Sequence, residues 1–293
     1  MSSPGLNTSL LGYPETARLL IVNADDLGMC HSINVATIEA MRHGLVTTAS
    51  LMTCCPWAWE AMQLLRDDSS LTFGIHLTLV NEMPGYRWGP VSSRDSVPSL
   101  VNSDGFFLAH RQIPELYARA DAVEVEREFR AQIDRVLGFG LKPTHLDWHC
   151  VLDGGRPDIL DLTLQLCDEY GLAMRVNDAV LRDRLLAAGK PANDTPIIDG
   201  YGLPLEEKNA IWARMLRELP AGLHQWAAHV SLGDAEAQAM EPHAWQVRKT
   251  DFDFFMSDMA RSIVAEEGIV LIDYRAIQRL WTGETGAGGQ SVE

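Results

Sequence analysis

Short apolar runs alternate with longer amphipathic segments along most of this chain. Apolar runs of about four to eight residues between turn residues predict buried strands, whereas apolar positions spaced three and four apart predict helices. The predicted strands span residues 19–25, 47–52, 72–78, 144–149, 173–176, 195–199, 224–230 and 269–274. The predicted helices span residues 32–43, 56–66, 122–139, 157–170, 179–188, 205–219 and 250–266.

The alternation of strands and helices predicts the fold class. It indicates an α/β fold in which parallel strands are joined by right-handed crossovers and the helices lie outside. The simplest such fold is a TIM-like (β/α) barrel, closed or nearly closed. An open doubly wound sheet is the alternative, but no Gly-x-Gly-x-x-Gly follows the first strand, which argues against a dinucleotide-binding version.

A single domain accounts for the pattern. We expect a flexible N-terminal arm at residues 1–16, one (β/α) barrel domain at residues 17–281 and a flexible, Gly-rich tail at residues 282–293. No internal repeat and no linker between two domains is apparent.

The first predicted strand ends in two adjacent carboxylates, Asp25 and Asp26, followed closely by Gly28. Burying an unpaired carboxylate is costly, and the carboxyl ends of parallel strands are where α/β folds place their chemistry. Consecutive strand residues point to opposite faces of a sheet. We therefore expect the two aspartates to have different roles unless the strand breaks there, with one metal ligand and one base as the natural division.

Composition and charge exclude several functional classes. The chain has 293 residues, a formal net charge of −16 and a pI near 4.9, which disfavours binding to a nucleic acid backbone. No apolar run approaches the roughly 18 residues of a membrane span, and the first residues lack the pattern of a signal peptide. The five cysteines show no Cys-x-x-Cys spacing. We therefore expect free thiols and a cytoplasmic location.

Further polar residues lie at or near the ends of other predicted strands. They are His76, His145, Asp147, His149, Arg175, Asp199 and His229. The carboxyl ends of barrel strands converge on one mouth. Imidazoles and carboxylates that meet there indicate a divalent metal site, and nitrogen and oxygen ligands suit Zn²⁺ or another transition metal. Three protein ligands would leave positions for water and substrate, as catalysis requires.

Residues 145, 147 and 149 share one face if their segment is extended. Asp147 suits the role of an acceptor that fixes the tautomer of a ligating histidine. His145 either joins the site or simply caps or packs the strand, and both interpretations stay open.

Two irregular segments, residues 81–114 and 233–249, follow the strands that carry His76 and His229. Segments this long within a compact domain are usually functional or mobile. Trp88, in the first of them, and Trp148 are candidates to stack on a sugar ring, although core or loop packing is the alternative for both.

Four motifs occur in order along the first half of the chain. They are Asn-Ala-Asp-Asp-Leu-Gly at residues 23–28, Gly-Leu-Val-Thr-Thr-Ala-Ser-Leu-Met at 44–52, Gly-Ile-His-Leu-Thr-Leu at 74–79 and Lys-Pro-Thr-His-Leu-Asp-Trp-His at 142–149. Together they resemble the motifs of the YdjC-like carbohydrate deacetylases, which include chito-oligosaccharide and hopanoid-biosynthesis deacetylases. The second half of the chain resembles this family more loosely, through residues 173–176, 228–230 and 268–274.

The resemblance implies roles for the strand-end residues. The metal ligands that it implies are Asp26, His76 and His149. Asp25 corresponds to the catalytic base, and His229 is the best match to the general acid. Arg175 would orient the base or the substrate.

The chain departs from the family pattern after His149. The family usually continues as His-x-His-Val-His, whereas residues 149–153 read His-Cys-Val-Leu-Asp, so that Val151 and Asp153 replace two histidines. The three implied ligands are retained, and the resemblance therefore still implies a metal site. It does not extend to the substrate of the family's chitin-sugar members.

The function that we expect is metal-dependent removal of an N-acetyl group from an acetylated amino sugar, oligosaccharide or glycolipid. The expected cofactor is one divalent ion, Zn²⁺ or Mg²⁺, and the resemblance also implies a homodimer. Two alternatives stay open: a metal-dependent hydrolase of another amide or ester bond, and a non-catalytic homologue that binds metal or sugar.

Overall fold

The computed structural model describes residues 6–83, 85–151 and 155–283. The strands are β1 (Arg18–Leu27), β2 (Thr48–Leu51), β3 (Phe73–Leu77), β4 (Val80–Asn81), β5 (Leu108–Ala109), β6 (His145–Trp148), β7 (Ala173–Met174), β8 (Ile198–Asp199), β9 (Gly222–Ala228) and β10 (Ile269–Leu271). The helices are α1 (Leu6–Leu10), α2 (His31–His43), α3 (Ala58–Asp67), α4 (Ile113–Arg119), α5 (Ala122–Gly138), α6 (Pro157–Tyr170), α7 (Ala179–Ala187), α8 (Leu205–Arg217), α9 (Ala235–Met240), α10 (Trp245–Met256), α11 (Asp258–Glu266) and α12 (Tyr274–Trp281). In these ranges, no helix is both long and apolar enough to cross a lipid bilayer.

All eight predicted strands are present, and they form one parallel sheet. The strand order is β7-β6-β3-β2-β1-β9-β8, and β10 pairs with the first residues of β1. The predicted parallel α/β class is therefore confirmed. The two edge strands, β7 and β8, have two residues each, and no pairing joins them among the described residues. The barrel, which we expected to be closed or nearly closed, is not closed, because β7 and β8 do not pair within these ranges.

The open sheet nevertheless curls into a partial barrel. Four strand steps separate β7 from β1, and these steps would span about 19 Å in a flat sheet with strands about 4.8 Å apart. Arg175, directly after β7, hydrogen-bonds Asp25 of β1 at 2.7 and 2.8 Å. Since an arginine side chain cannot bridge that distance, the sheet must curve. Curvature brings strand ends from different parts of the chain together.

An aromatic cluster holds α8 and α10 against β9. Trp212 lies 5.3 Å from Trp226, measured between ring centroids, and 5.1 Å from Phe254. Phe255 lies 5.6 Å from Trp226. All four rings are buried, and such pairs contribute roughly 0.5–1.5 kcal/mol each beyond the area they bury. The cluster fixes the position of α10, whose polar face reaches the site described below.

Several helical regions differ from the prediction, which did not include α4 and α12. The predicted helix 250–266 is divided into α10 and α11, because Ser257 is extended and its hydroxyl oxygen accepts a hydrogen bond from the backbone N–H of Ala260. The irregular segment 233–249 contains α9 and the start of α10. The first irregular segment, 81–114, contains β5 and two short 3-10 turns.

Part of the expected N-terminal arm is packed against the domain. Residues Leu6–Leu10 form α1, and Asn7 within it is buried. The Asn7 amide donates to Asp194 at 2.8 Å, and its carbonyl oxygen accepts from the N–H of Ala192 at 3.0 Å. Residues 1–5 of the arm and residues 284–293 of the tail lie outside the described ranges.

Candidate metal centre

The end of β1 directs both aspartates to the same cavity. Asp26 has a φ of +71°, and the pairing of β1 with β2 shifts register between Ala24 and Leu27. A strand that kinks in this way no longer sends consecutive side chains to opposite faces. Asp25 and Asp26 are therefore both buried in the wall of a cavity of about 720 Å³. A left-handed backbone costs about 1–2 kcal/mol and is typical of functional sites.

Asp26, His76 and His149 place three donor atoms around one point. Oδ1 of Asp26 lies 3.1 Å from Nδ1 of His149 and 3.5 Å from Nε2 of His76. Nitrogen and oxygen ligands of a tetrahedral zinc ion, each about 2.0–2.2 Å from the metal, would lie roughly 3.4 Å apart. These three residues, which the resemblance singled out, therefore fit one divalent ion.

Asp147 fixes the ring of His76. Its Oδ1 accepts a hydrogen bond from Nδ1 of His76 at 2.7 Å, so the lone pair of Nε2 is left for the candidate site. Burial alone would lower the pKa of His76, but the carboxylates of Asp147, Asp26 and Asp25 raise it to about 9. An incoming metal ion must therefore displace a proton from this ring near neutral pH.

Asp25 stands beside the three donors in an ion pair of its own. Nη1 and Nη2 of Arg175 donate to its two oxygens at 2.7 and 2.8 Å, and the Asn23 amide donates to Oδ1 at 2.6 Å. Burial alone would raise the pKa of Asp25, but Arg175 holds it below its ordinary value. Oδ2 lies 4.0 Å from Nε2 of His76. Asp25 is thus an ionised carboxylate next to the candidate site, oriented by arginine.

Arg248 is a site residue that sequence reasoning missed. Its Nη1 donates to Oδ2 of Asp26 at 2.7 Å, and its Nε donates to Glu241 at 2.7 Å. Burial alone would raise the pKa of Asp26, but Arg248 and hydrogen bonds from His149 and His76 keep it well below its ordinary value. Arg248 lies on α10, in a segment that the pattern predicted as irregular. No strand-end signal was available to find it.

His229 lines the same cavity from the end of β9. Its Nδ1 is buried and has no hydrogen-bond partner among the described residues, the nearest carboxylate oxygen being that of Asp199 at 3.9 Å. Its backbone N–H donates to Asp251 at 2.9 Å, and Asp251 is held in turn by the buried ammonium group of Lys208. The ring also meets Tyr201 edge-on, at 5.0 Å between centroids. The imidazole is therefore held in place with a free nitrogen.

Two candidate site residues, His145 and Trp88, are not among the residues that line the cavity. His145 is fully buried and stacks on Tyr274 at 3.7 Å between ring centroids, which agrees with the interpretation that it packs the strand. Trp88 is only 2% exposed and donates its indole N–H to Val80, so it offers no open face to a sugar ring. It instead packs edge-on against His149, at 5.9 Å.

The departure after His149 is partly visible. Cys150 has a φ of +59° and lines the cavity. Val151 is buried, whereas Asp153 lies outside the described residues. Trp148, the second tryptophan considered for sugar stacking, lines the cavity but is only 5% exposed.

Comparisons with known proteins identify relatives over nearly the whole chain. A carbohydrate deacetylase of Geobacillus stearothermophilus is 30% identical over 264 residues, which cover 90% of this chain and 99% of the relative. A carbohydrate deacetylase of Thermus thermophilus is 33% identical, over 85% of this chain and 90% of the relative. A chitooligosaccharide deacetylase of Serratia marcescens is 26% identical, over 87% and 97%.

A solved structure supports the same relationship. The crystal structure of a protein from Enterococcus faecalis V583, provisionally assigned to cellobiose-phosphate cleavage, superposes with a TM-score of 0.75 and 25% sequence identity. The match covers 89% of this chain and 99% of the other. The family model described as YdjC-like protein matches residues 19–266, which contain every donor of the candidate metal centre. This chain therefore belongs to the YdjC-like protein family.

Proposed function

We propose that this protein is a metal-dependent carbohydrate deacetylase that hydrolyses the N-acetyl group of an acetylated amino sugar, oligosaccharide or glycolipid. The relatives named above as carbohydrate and chitooligosaccharide deacetylases support this assignment. The observation that carries it is local: three donor atoms suited to one divalent ion share a cavity wall with Asp25, an ionised carboxylate that is already paired with arginine.

In this proposal Asp26, His76 and His149 hold the ion, which supplies Lewis acidity that polarises a carbonyl group and acidifies water. Arg248 occupies Oδ2 of Asp26, so Oδ1 remains free to face the two histidines. Asp147 keeps the His76 proton on Nδ1 and thereby leaves Nε2 as the donor. Arg248 and Asp147 thus orient two of the three ligands, Asp26 and His76, before any ion binds.

Asp25 acts as the general base that accepts the proton of the attacking water. Its bond to Arg175 keeps the carboxylate ionised and aims it into the cavity. That bond also lowers its basicity, so Asp25 suits water whose pKa is itself lowered. A base of this kind needs no separate histidine to activate it.

His229 donates a proton to the leaving amine. His229 lines the cavity, its Nδ1 has no hydrogen-bond partner among the described residues, and Asp251 fixes the backbone that carries it. Asp25 and His229 come from β1 and from the end of β9, two neighbouring strands. The base and the acid therefore approach the substrate from different elements.

The metal is a transition metal in this proposal, because two imidazoles and one carboxylate suit Zn²⁺ better than Mg²⁺, which prefers oxygen ligands. A cytoplasmic location and a homodimer belong to the same proposal. The location is supported by the five cysteines, all of which are free thiols.

The test is acetate release from acetylated chito-oligosaccharides, a small N-acetylated glycoside and an acetylated glycolipid. We expect acetate from at least one of them, abolished by a chelator and restored by Zn²⁺. Asp25→Asn should retain the metal and lose turnover. Sugar binding without acetate would instead indicate a non-catalytic homologue, and acetate release that survives the removal of all metal would refute the mechanism.

A further inference from the structure

A second set of ligand atoms lies on the other side of the His149 ring. Nδ1 of His149 faces Asp26, whereas Nε2 lies 3.3 Å from Sγ of Cys150 and 3.8 Å from Oε1 of Glu82. Sγ of Cys150 lies 3.6 Å from Oε2 of Glu82. All three residues line the same cavity as the candidate metal centre. The set thus combines a thiol, an imidazole and a carboxylate at the wall of this cavity.

The spacing of these atoms suits a tetrahedral ion. With a zinc–sulfur distance of about 2.3 Å and zinc–nitrogen and zinc–oxygen distances of about 2.0–2.2 Å, ligand atoms would lie roughly 3.3–3.6 Å apart. Sγ of Cys150 lies 3.3 Å from Nε2 of His149 and 3.6 Å from Oε2 of Glu82, and Nε2 lies 3.8 Å from the other carboxylate oxygen, Oε1; these separations are close to this range. One ligand atom from each of the three residues lies within 4.8 Å of the other two.

Glu82 gives an independent indication of a ligand. Its Oε1 is buried and has no hydrogen-bond partner among the described residues. The nearest cation is Arg248, whose Nη2 lies 3.5 Å away and whose stronger contacts are with Asp26 and Glu241. A buried carboxylate oxygen without a hydrogen bond is costly. A metal ion bound at this point would satisfy it.

We propose that Glu82, His149 and Cys150 form a second metal site, for a thiophilic divalent ion such as Zn²⁺ or Cd²⁺, which competes with the centre at Asp26 for His149. On binding, a metal–sulfur bond forms, the S–H bond breaks and the proton passes to solvent. His149 then binds through Nε2 and keeps its proton on Nδ1, where it donates to Asp26. A neutral imidazole offers only one lone pair, so the same ring cannot serve the first centre.

The consequence is selective inhibition, and this part rests on the proposed function. Mg²⁺ prefers oxygen ligands and would not enter a site that contains a thiolate. Zn²⁺ in excess, or Cd²⁺, would enter it and withdraw one of three ligands from the first centre. The residue at position 150 thus makes the protein sensitive to thiophilic metals.

The test follows the thiolate directly. The full chain, freed of metal, is titrated with Cd²⁺ while the ultraviolet charge-transfer absorption of the cadmium–thiolate bond is recorded. We expect the band in the unaltered protein and in Cys167→Ser, a control for a buried thiol elsewhere in the fold. Cys150→Ser should lose it, and Glu82→Gln should need at least about tenfold more Cd²⁺ because one charged ligand is gone. Equal bands in the unaltered protein and Cys150→Ser would overturn the proposal.

Competition is measured separately, with Mn²⁺ bound first and the free Mn²⁺ signal followed by electron paramagnetic resonance. Cd²⁺ should release Mn²⁺ from the unaltered protein at lower concentration than from Cys150→Ser. Equal release from both would show direct displacement at Asp26 and would refute the competition. Neither measurement needs turnover, so absent acetate release would count against the proposed function while leaving this site standing.

Discussion

Asp147 is the residue whose replacement tests the candidate metal centre most sharply. It accepts hydrogen bonds from Nδ1 of His76 and from the Ser50 hydroxyl, both at 2.7 Å, and its Oδ2 lies 3.0 Å from Nε of Arg175 in an ion pair. Asp147→Asn keeps the shape of the side chain but replaces one acceptor oxygen by an NH₂ donor. If the amide oxygen faces Arg175, the NH₂ group faces His76 and forces its proton onto Nε2, the nitrogen that the metal needs.

The opposite orientation of the amide is also unfavourable. If its oxygen faces His76, the NH₂ group opposes the Nε–H of Arg175, and one donor remains buried without an acceptor. Loss of a residue that hydrogen-bonds a metal-ligating histidine, as Asp147 does, typically weakens metal binding about 10–100-fold, or roughly 1.4–2.7 kcal/mol. The charge of Asp147 also raises the pKa of His76. Its removal therefore lessens proton competition, and the loss of affinity should be larger at pH 9 than at pH 7.

The assay is the zinc dissociation constant, obtained by competition with a chromophoric chelator at both pH values. Asp199→Asn is the matched control, because this half-exposed carboxylate lies near His229 and contacts none of the three donors. The control should change zinc affinity by less than about twofold. A dissociation constant of Asp147→Asn that stays within twofold of the unaltered protein at pH 9 would refute the tautomer argument.

Three further predictions concern the same group of residues. Asp26→Asn should lose the metal while keeping the fold. Asp26→Ala should lose the metal too, and its free energy of unfolding in urea should be about 1 kcal/mol lower, because asparagine tolerates a positive φ better than alanine does. Equal stability of the two variants would contradict this prediction. Arg248→Met should destabilise the metal-free protein by about 3–5 kcal/mol, because it removes the arginine partner of the buried Asp26 and of Glu241. Zn²⁺ should restore much of the loss in thermal melts, and a melting temperature equal to that of the unaltered protein without metal would refute the prediction. Zinc affinity should rise about 10–100-fold per pH unit from pH 7 to about 9. The reason is that the pKa values of His76 and His149 are raised and both rings must lose a proton to bind zinc. A zinc affinity that does not change with pH would show that neither ring is protonated.

The order of elements was readable from the residue pattern because each buried strand needs its own apolar run. All eight predicted strands are present, and most predicted helices end within a few residues of the expected positions. The division of residues 250–266 at Ser257 was missed, since a single capping serine does not interrupt the helical periodicity. The open edge between β7 and β8 was missed as well, because barrel closure depends on pairing between strands that are distant along the chain.

The candidate ligands were also found from local sequence, since Asp26, His76 and His149 each follow an apolar run at a strand end. Arg248 carries no such signal. It reaches Asp26 only because the aromatic cluster seats α10 against β9. In the same way, Trp88 looked available for a sugar but is covered by its own loop and by His149.

Residue identity and spacing were thus sufficient to predict the parallel α/β class, the family and the residues suited to bind metal, because these depend on short-range periodicity and on motifs within single strands. The direction of each side chain required the folded molecule. The kink at Asp26 turns its side chain toward the cavity. The pairing of Asp25 with Arg175 and the contact of Asp26 with Arg248 join distant segments, which only sheet curvature and helix packing bring together. The two carboxylates at the end of β1 are adjacent in sequence, but their different partners come from opposite ends of the fold.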